Sequence, residues 1–212
     1  MNVFERQEVT QFLIRNNVDK VAHSKRNLLM HLQGTYQLLK SWDLEESVCL
    51  AGLLHSVYGS DGLKVQSVSK ERREEIQKLV GKEAEFLVHL FSVIDRHSLL
   101  RAGCADDIQF HEQKDACTIT YEMYCNLLHI ESANLVEQGL ASGIAGRVLL
   151  NGLRTLFPHF ETRLNSASKI HLVKVFEQSY WPLWKVKKVD MFLKGIINFR
   201  FLLGKILIRR RA

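Results

Sequence analysis

The sequence predicts an all-α protein, and three observations carry that prediction. Only two prolines occur in 212 residues, Pro158 and Pro182, so proline breaks no helix before residue 158. Apolar residues recur at helical spacing in one segment after another. Period-2 alternation is brief everywhere except in "LKVQSVS", a turn-rich stretch that reads as a loop with at most a short extended piece.

The elements follow in order. "VFERQEVTQFLIRNN" places the apolar residues Val3, Phe4, Val9, Phe12 and Leu13 at helix spacing. "NLLMHLQGTYQLLKSW" repeats the pattern with Leu28, Leu29, Leu32, Tyr36, Leu38 and Leu39, ending near Trp42. In "DLEESVCLAGLLHSVYG" Asp43 and Glu46 have the form of a capping box, and Val48 to Leu54 is apolar nearly all round, which predicts a central helix. "SKERREEIQKLVG" predicts a helix stopped by Gly81. "KEAEFLVHLFSVIDRHSLL" reads as one further helix, with Phe86, Leu87, Leu90, Phe91 and Ile94 on one side. After a polar stretch at 101–115, helices resume from Thr118, with stops expected at Pro158 and Pro182.

Composition is that of a soluble globular chain, with 46% hydrophobic and 25% charged residues. None of the four cysteines forms a CxxC pair, and the N-terminus "MNVFERQEVTQFL" lacks a signal-peptide core, so a cytoplasmic protein with reduced thiols is expected. The net charge of +6 is concentrated. Residues 183–212 hold nine Lys or Arg against one acid, while the rest of the chain comes to −2. A nucleic-acid footprint over the main body is therefore not expected. The organisation predicted is a helical domain at 1–182 and a basic amphipathic helix at 183–212. In that helix Phe192, Ile196, Phe199, Leu203 and Ile206 form one stripe, suited to core closure, a homo-oligomer contact or a peripheral membrane contact.

Three residues form the chemical constellation: His31 in "LLMHLQGTYQLL", His55 in "CLAGLLHS" and Asp95 in "FSVIDRHSLL". Each lies among apolar neighbours and so faces packed structure. Two imidazoles and a carboxylate suit a divalent transition metal with open positions. Taken singly, a histidine on a helix more often serves core or surface, and Asp95 beside Arg96 suits a helix-end ion pair.

"HLQGTYQLLKSWDLEESVCLAGLLHSVYG" and "LVGKEAEFLVHLFSVIDRHSLL" together resemble the HD-domain superfamily, and within it the stringent-response (RelA/SpoT-type) hydrolase branch, over residues 20–100. The resemblance implies an HD-like helical bundle in which His31 is the first ligand, His55 the second and Asp95 the last. Ser56 stands where the family has Asp, and "VYGS" replaces the acidic pair that follows there. A serine hydroxyl is neutral and a weak ligand, so one ion is expected rather than two.

The expected function is a metal-dependent hydrolase of a phosphorylated small molecule or nucleotide, using Mn, Fe or Zn. Arg96, Arg26 and Lys25 are expected to hold phosphate, with Arg96, Ser56 and Arg26 the catalytic candidates. His23, Tyr58 and Asp61 are candidates for outer or pocket positions. If the second helix begins near Asn27, His23 lies in the preceding turn and can fold back. Two alternatives stand beside this: a mononuclear non-haem iron oxygenase using His31, His55 and Asp95, and a non-catalytic HD-fold binding or regulatory module.

Overall fold

The computed structural model describes residues 3–23, 26–59, 65–112 and 115–179 of the chain. Lys25, Asp61 and the 183–212 segment lie outside the described residues. Within them run nine α-helices: α1 (Val3–Arg15), α2 (Leu28–Ser41), α3 (Glu46–Leu54), α4 (Arg73–Val80), α5 (Lys82–Val93), α6 (Arg96–Arg101), α7 (Tyr121–Ala141), α8 (Gly143–Phe160) and α9 (Ser166–Gln178). The fold class is all-α. No helix among the described residues is long and apolar enough to cross a membrane.

The interior is organised around three helices. α2 starts where Asn27 accepts the Met30 N–H at 2.9 Å, satisfying one of the free donors of its first turn. Its buried face carries Leu28, Leu32, Tyr36 and Leu39. α3 is buried from Val48 to Leu54, as its all-round apolar sequence predicts, and packs against α2, α5 and α7. α7, capped by Thr120, lies across both and continues to α8. At the α7–α8 contact the backbones meet closely, because a Cβ on Gly146 would fall onto the Gly139 carbonyl.

Four local expectations are corrected. Asp43 does not cap α3. It adopts a left-handed φ of 57°, Glu45 takes the cap position, and the Glu46 carboxylate instead accepts from the Tyr36 hydroxyl and Lys40. The helix expected to run through residues 82–100 breaks at Ile94, which is extended. There the Asp95 N–H donates to the Gln109 carbonyl at 2.8 Å, and α6 restarts after Asp95. Pro158 does not end α8, which runs on to Phe160; in the last turn a proline forfeits little of the ladder. Finally, a two-residue antiparallel ladder, β1 (Ala22–His23) against β2 (Arg26–Asn27), precedes α2.

Candidate functional site

His31 sits in the first turn of α2 and His55 at the C-terminal cap of α3, each only 1% exposed. Packing of α2 on α3 brings their Nε2 atoms to 3.3 Å. The other nitrogen of each ring is committed. His55 Nδ1 lies 2.7 Å from the Gly52 carbonyl, which only accepts, so that nitrogen carries the proton. His31 Nδ1 donates to one oxygen of Glu137, whose other oxygen pairs with Arg26. These partners fix both rings in the Nδ1–H tautomer. Two unprotonated Nε2 lone pairs therefore point toward each other in the interior.

Protonation does not relieve that arrangement near neutral pH. Burial brings His31 from its ordinary 6.5 to about 2, and the facing rings of His55 and His23 and the Arg26 guanidinium press the same way. Burial likewise brings His55 to about 4, with Arg96 adding to the effect and the Gly52 carbonyl opposing it. Both imidazoles are neutral, the form that ligates metal.

α7 supplies the surroundings from one polar face. Glu137 holds His31, and the Gln138 amide donates to His23 Nε2 at 2.8 Å. His23, folded back by the β1–β2 ladder, stacks on His31 with ring centroids 4.4 Å apart. Glu131 accepts from Arg96 at 3.3 Å, and the Arg96 guanidinium lies over Phe91, 5.4 Å from the ring centre. The same Phe91 packs edge-on against His55. Arg26 and Arg96 thus flank the histidine pair, each held by a glutamate of α7. Each has a buried Nε–H without a partner, a donor that an added oxyanion would satisfy. Arg26, 27% exposed, marks the side nearest solvent.

Several expected members are elsewhere. Among the described residues no group of three or more His, Cys, Asp and Glu side chains is placed to hold a metal ion. The His31–His55–Asp95 triad is therefore not assembled. Asp95 Oδ1 accepts instead from the His97 and Ser98 N–H groups, at 2.7 and 2.9 Å, as the cap of α6. Helical periodicity runs through Asp95, and the break at Ile94 redirects it. Ser56 is buried just past His55, its carbonyl accepting from Gly59 in the following turn. Tyr58 faces neither histidine; its hydroxyl donates to Glu85 at 3.0 Å.

Local reading of the sequence passes over Glu131, Asn134, Glu137 and Gln138. A signal was there: "IESANLVEQ" repeats a polar residue every three or four positions on a helix whose other faces are apolar. A polar stripe on a central helix has to be satisfied by something.

A family model described as a domain of unknown function (DUF6817) matches residues 12–96. The matched span carries His23, Arg26, His31, His55, Ser56, Asp95 and Arg96, and stops before α7. No curated protein and no solved structure matches the chain.

Proposed function

We propose that this chain is an HD-like, metal-dependent hydrolase of a phosphorylated small molecule or nucleotide, with one divalent ion (Mn, Fe or Zn) held by His31 and His55. One observation carries the reading: two neutral imidazoles aim unprotonated Nε2 atoms at each other across 3.3 Å, with both Nδ1–H groups spent on acceptors. Two nitrogens on one ion at roughly 2.0–2.1 Å stand about 3.0 to 3.4 Å apart, depending on geometry. Donation of the far ring nitrogen to a carboxylate or carbonyl is the usual support of a metal-bound histidine. The donor set thus fits such an ion.

A bound ion would polarise a phosphoryl oxygen and acidify a water. Arg26 and Arg96 bind and orient the phosphate through their unpartnered donors, and Glu137 and Glu131 hold those guanidinium groups in place. The iron-oxygenase alternative relied on the Asp95 carboxylate, which is engaged in capping α6.

Metal analysis of protein purified without chelator tests the reading. Manganese or zinc near one per chain, lost in His55→Ala together with phosphate-ester hydrolysis, is the expected result. Stoichiometric iron with oxygen consumption would favour the oxygenase. Metal bound without turnover on a panel of phosphate esters would favour the non-catalytic module. A wild-type protein that takes up no metal when supplied with it sinks both enzyme readings.

A further inference from the structure

α9 comes last among the described helices, beyond the span that the family model matches. It is 13 residues long, and its buried side chains are Ser168, Leu172, Val175 and Phe176. Phe176 packs edge-on against Phe157 of α8, with ring centroids 5.3 Å apart. The start of the helix is fastened by polar contacts, and in two of them a histidine is the acceptor.

The indole N–H of Trp42, at the C-terminal cap of α2, donates to His171 Nδ1 of α9 at 2.7 Å. Trp42 is buried, and its indole nitrogen can only donate, so His171 Nδ1 carries no proton in this contact. Asn165, the cap of α9, donates its backbone N–H to His129 Nε2 of α7 at 3.1 Å. His129 Nδ1 lies 2.8 Å from the Cys125 carbonyl, which keeps the proton there and leaves Nε2 as the acceptor. The Asn165 side chain joins the two fastenings by donating to the Trp42 carbonyl at 2.6 Å. A proton added to either acceptor nitrogen sets one N–H against another, and the hydrogen bond is lost. Among the described residues, the charge acting on His171 is that of Lys174 on the same helix, and no charged side chain acts on His129. The titratable neighbour of His129 is Cys125, a thiol that burial pushes up against the opposing influence of Tyr121 and Arg163. Burial holds both imidazoles below their ordinary 6.5; Lys174 presses His171 the same way, and the Cys125 carbonyl opposes the shift at His129.

We infer that α9 is a proton-released latch: protonation of His129 and His171 unfastens the start of the helix from α7 and from the end of α2. The latch needs no bound ion and stands apart from the metal reading above. While it is closed, both rings are held neutral by donors that face their lone pairs. Once α9 is away, the rings are free to take up protons. Acid therefore leaves the latch unchanged above the ordinary 6.5. Below it each ring shifts the balance toward release by about tenfold per pH unit, until the fastened ring protonates as well. Two rings acting together make release steeper than one histidine allows. Release uncovers the Trp42 indole and the Phe157 ring.

The test is hydrogen exchange of the full chain, read by mass spectrometry between pH 7 and 5.5, with circular dichroism to verify folding. Protection factors of α9 (Ser166–Gln178) are compared with those of α2 (Leu28–Ser41). In wild type α9 should be less protected than α2, and its protection should fall by about tenfold to a hundredfold per pH unit below 6.5. His171→Asn and His129→Gln each put an amide oxygen where the acceptor nitrogen was, and neither amide titrates. Each should remove up to about tenfold per pH unit of that fall, and the double variant should remove most of it. A wild-type slope kept in the double variant overturns the inference. So does an α9 whose protection equals that of α2 at every pH, since it then opens only with the whole molecule. Should the double variant not fold, the single variants decide, and an unchanged slope in both overturns the inference.

Discussion

Among the described residues, the buried polar cluster around Glu85 and the one around His31 and His55 differ in whether they close. Around Glu85, fully buried, four donors converge: Tyr58 Oη at 3.0 Å, Arg73 Nε at 2.7 Å, Arg73 Nη2 at 2.9 Å and Gln77 Nε2 at 2.9 Å. The charge is paired and the acceptors are filled. That cluster fastens the turn after α3 to α4 and α5. The cluster around His31 and His55 is as deeply buried, yet two acceptor nitrogens face each other and two arginine Nε–H groups lack partners. Burial is costly for both, and a closed network recovers that cost within the fold. The open one is where the proposed ion and phosphate would sit. The difference separates a structural clamp from the proposed site.

Removing the clamp should have the largest effect. Glu85→Ala leaves Arg73, Tyr58 and Gln77 facing an empty acceptor, and thermal or urea melts should show a loss of about 3–5 kcal/mol. Comparable destabilisation from His55→Ala in metal-free protein would erase the distinction between the clusters.

Second comes Glu137→Gln. It keeps the shape but weakens the acceptor that orients His31. Metal affinity by titration should fall about 10–100-fold, and because the Arg26 ion pair is weakened too, the metal-free protein should melt lower, though by less than Glu85→Ala since Arg26 is 27% exposed.

Third, pH should separate the two clusters. His31 and His55 have folded pKa values below their ordinary 6.5, so the unfolded chain takes up protons first as pH falls. Their effect on stability is nil above 6.5. Below it each histidine removes about 1.4 kcal/mol per pH unit, for His55 until about pH 4, where the folded ring also protonates. Glu85 behaves differently. Its pKa is lowered against a burial effect that pushes the other way, because Arg73, Gln77 and Tyr58 stabilise the carboxylate. Its contribution is therefore intact above the ordinary 4.5 and lost only as pH falls through the lower folded value. Denaturant midpoints measured from pH 7 to 4.5 should decline in wild type and decline less steeply in a His31→Gln, His55→Gln double variant, the remaining slope coming from His23, His89, His129 and His171, which burial also holds below their ordinary value. A slope unchanged from wild type would place the acid sensitivity elsewhere.

Fourth and smallest, Asp95→Asn should cost under about 1 kcal/mol, since asparagine also caps helices well. Equilibrium unfolding measures this change.

Part of the site was legible because it is local. His31 and His55 each fall on the inward face of a helix whose apolar spacing is plain, and the resemblance to HD-domain proteins drew attention to that pair. Asp95 misled for a local reason as well. "FLVHLFSVIDRHSLL" keeps helical periodicity straight through Ile94, where hydrogen bonds to residues 109–111 break the helix. Propensity carries no information about such a distant partner. The α7 residues were passed over because their meaning is relational: Glu137 lies 106 positions from the His31 it holds.

By itself, then, the sequence determined the helical class, the central place of α3 and the inward direction of two histidines, all consequences of periodicity and burial within single elements. Only the tertiary structure decided what the histidines face. The crossing of α7 over α2 and α3 brings Glu137 to His31 and Gln138 to His23, and α7 holds Arg96 through Glu131. The break at Ile94 commits Asp95 as a helix cap instead. Ligand geometry depends on how helices pack against one another, and one helix's periodicity does not encode that.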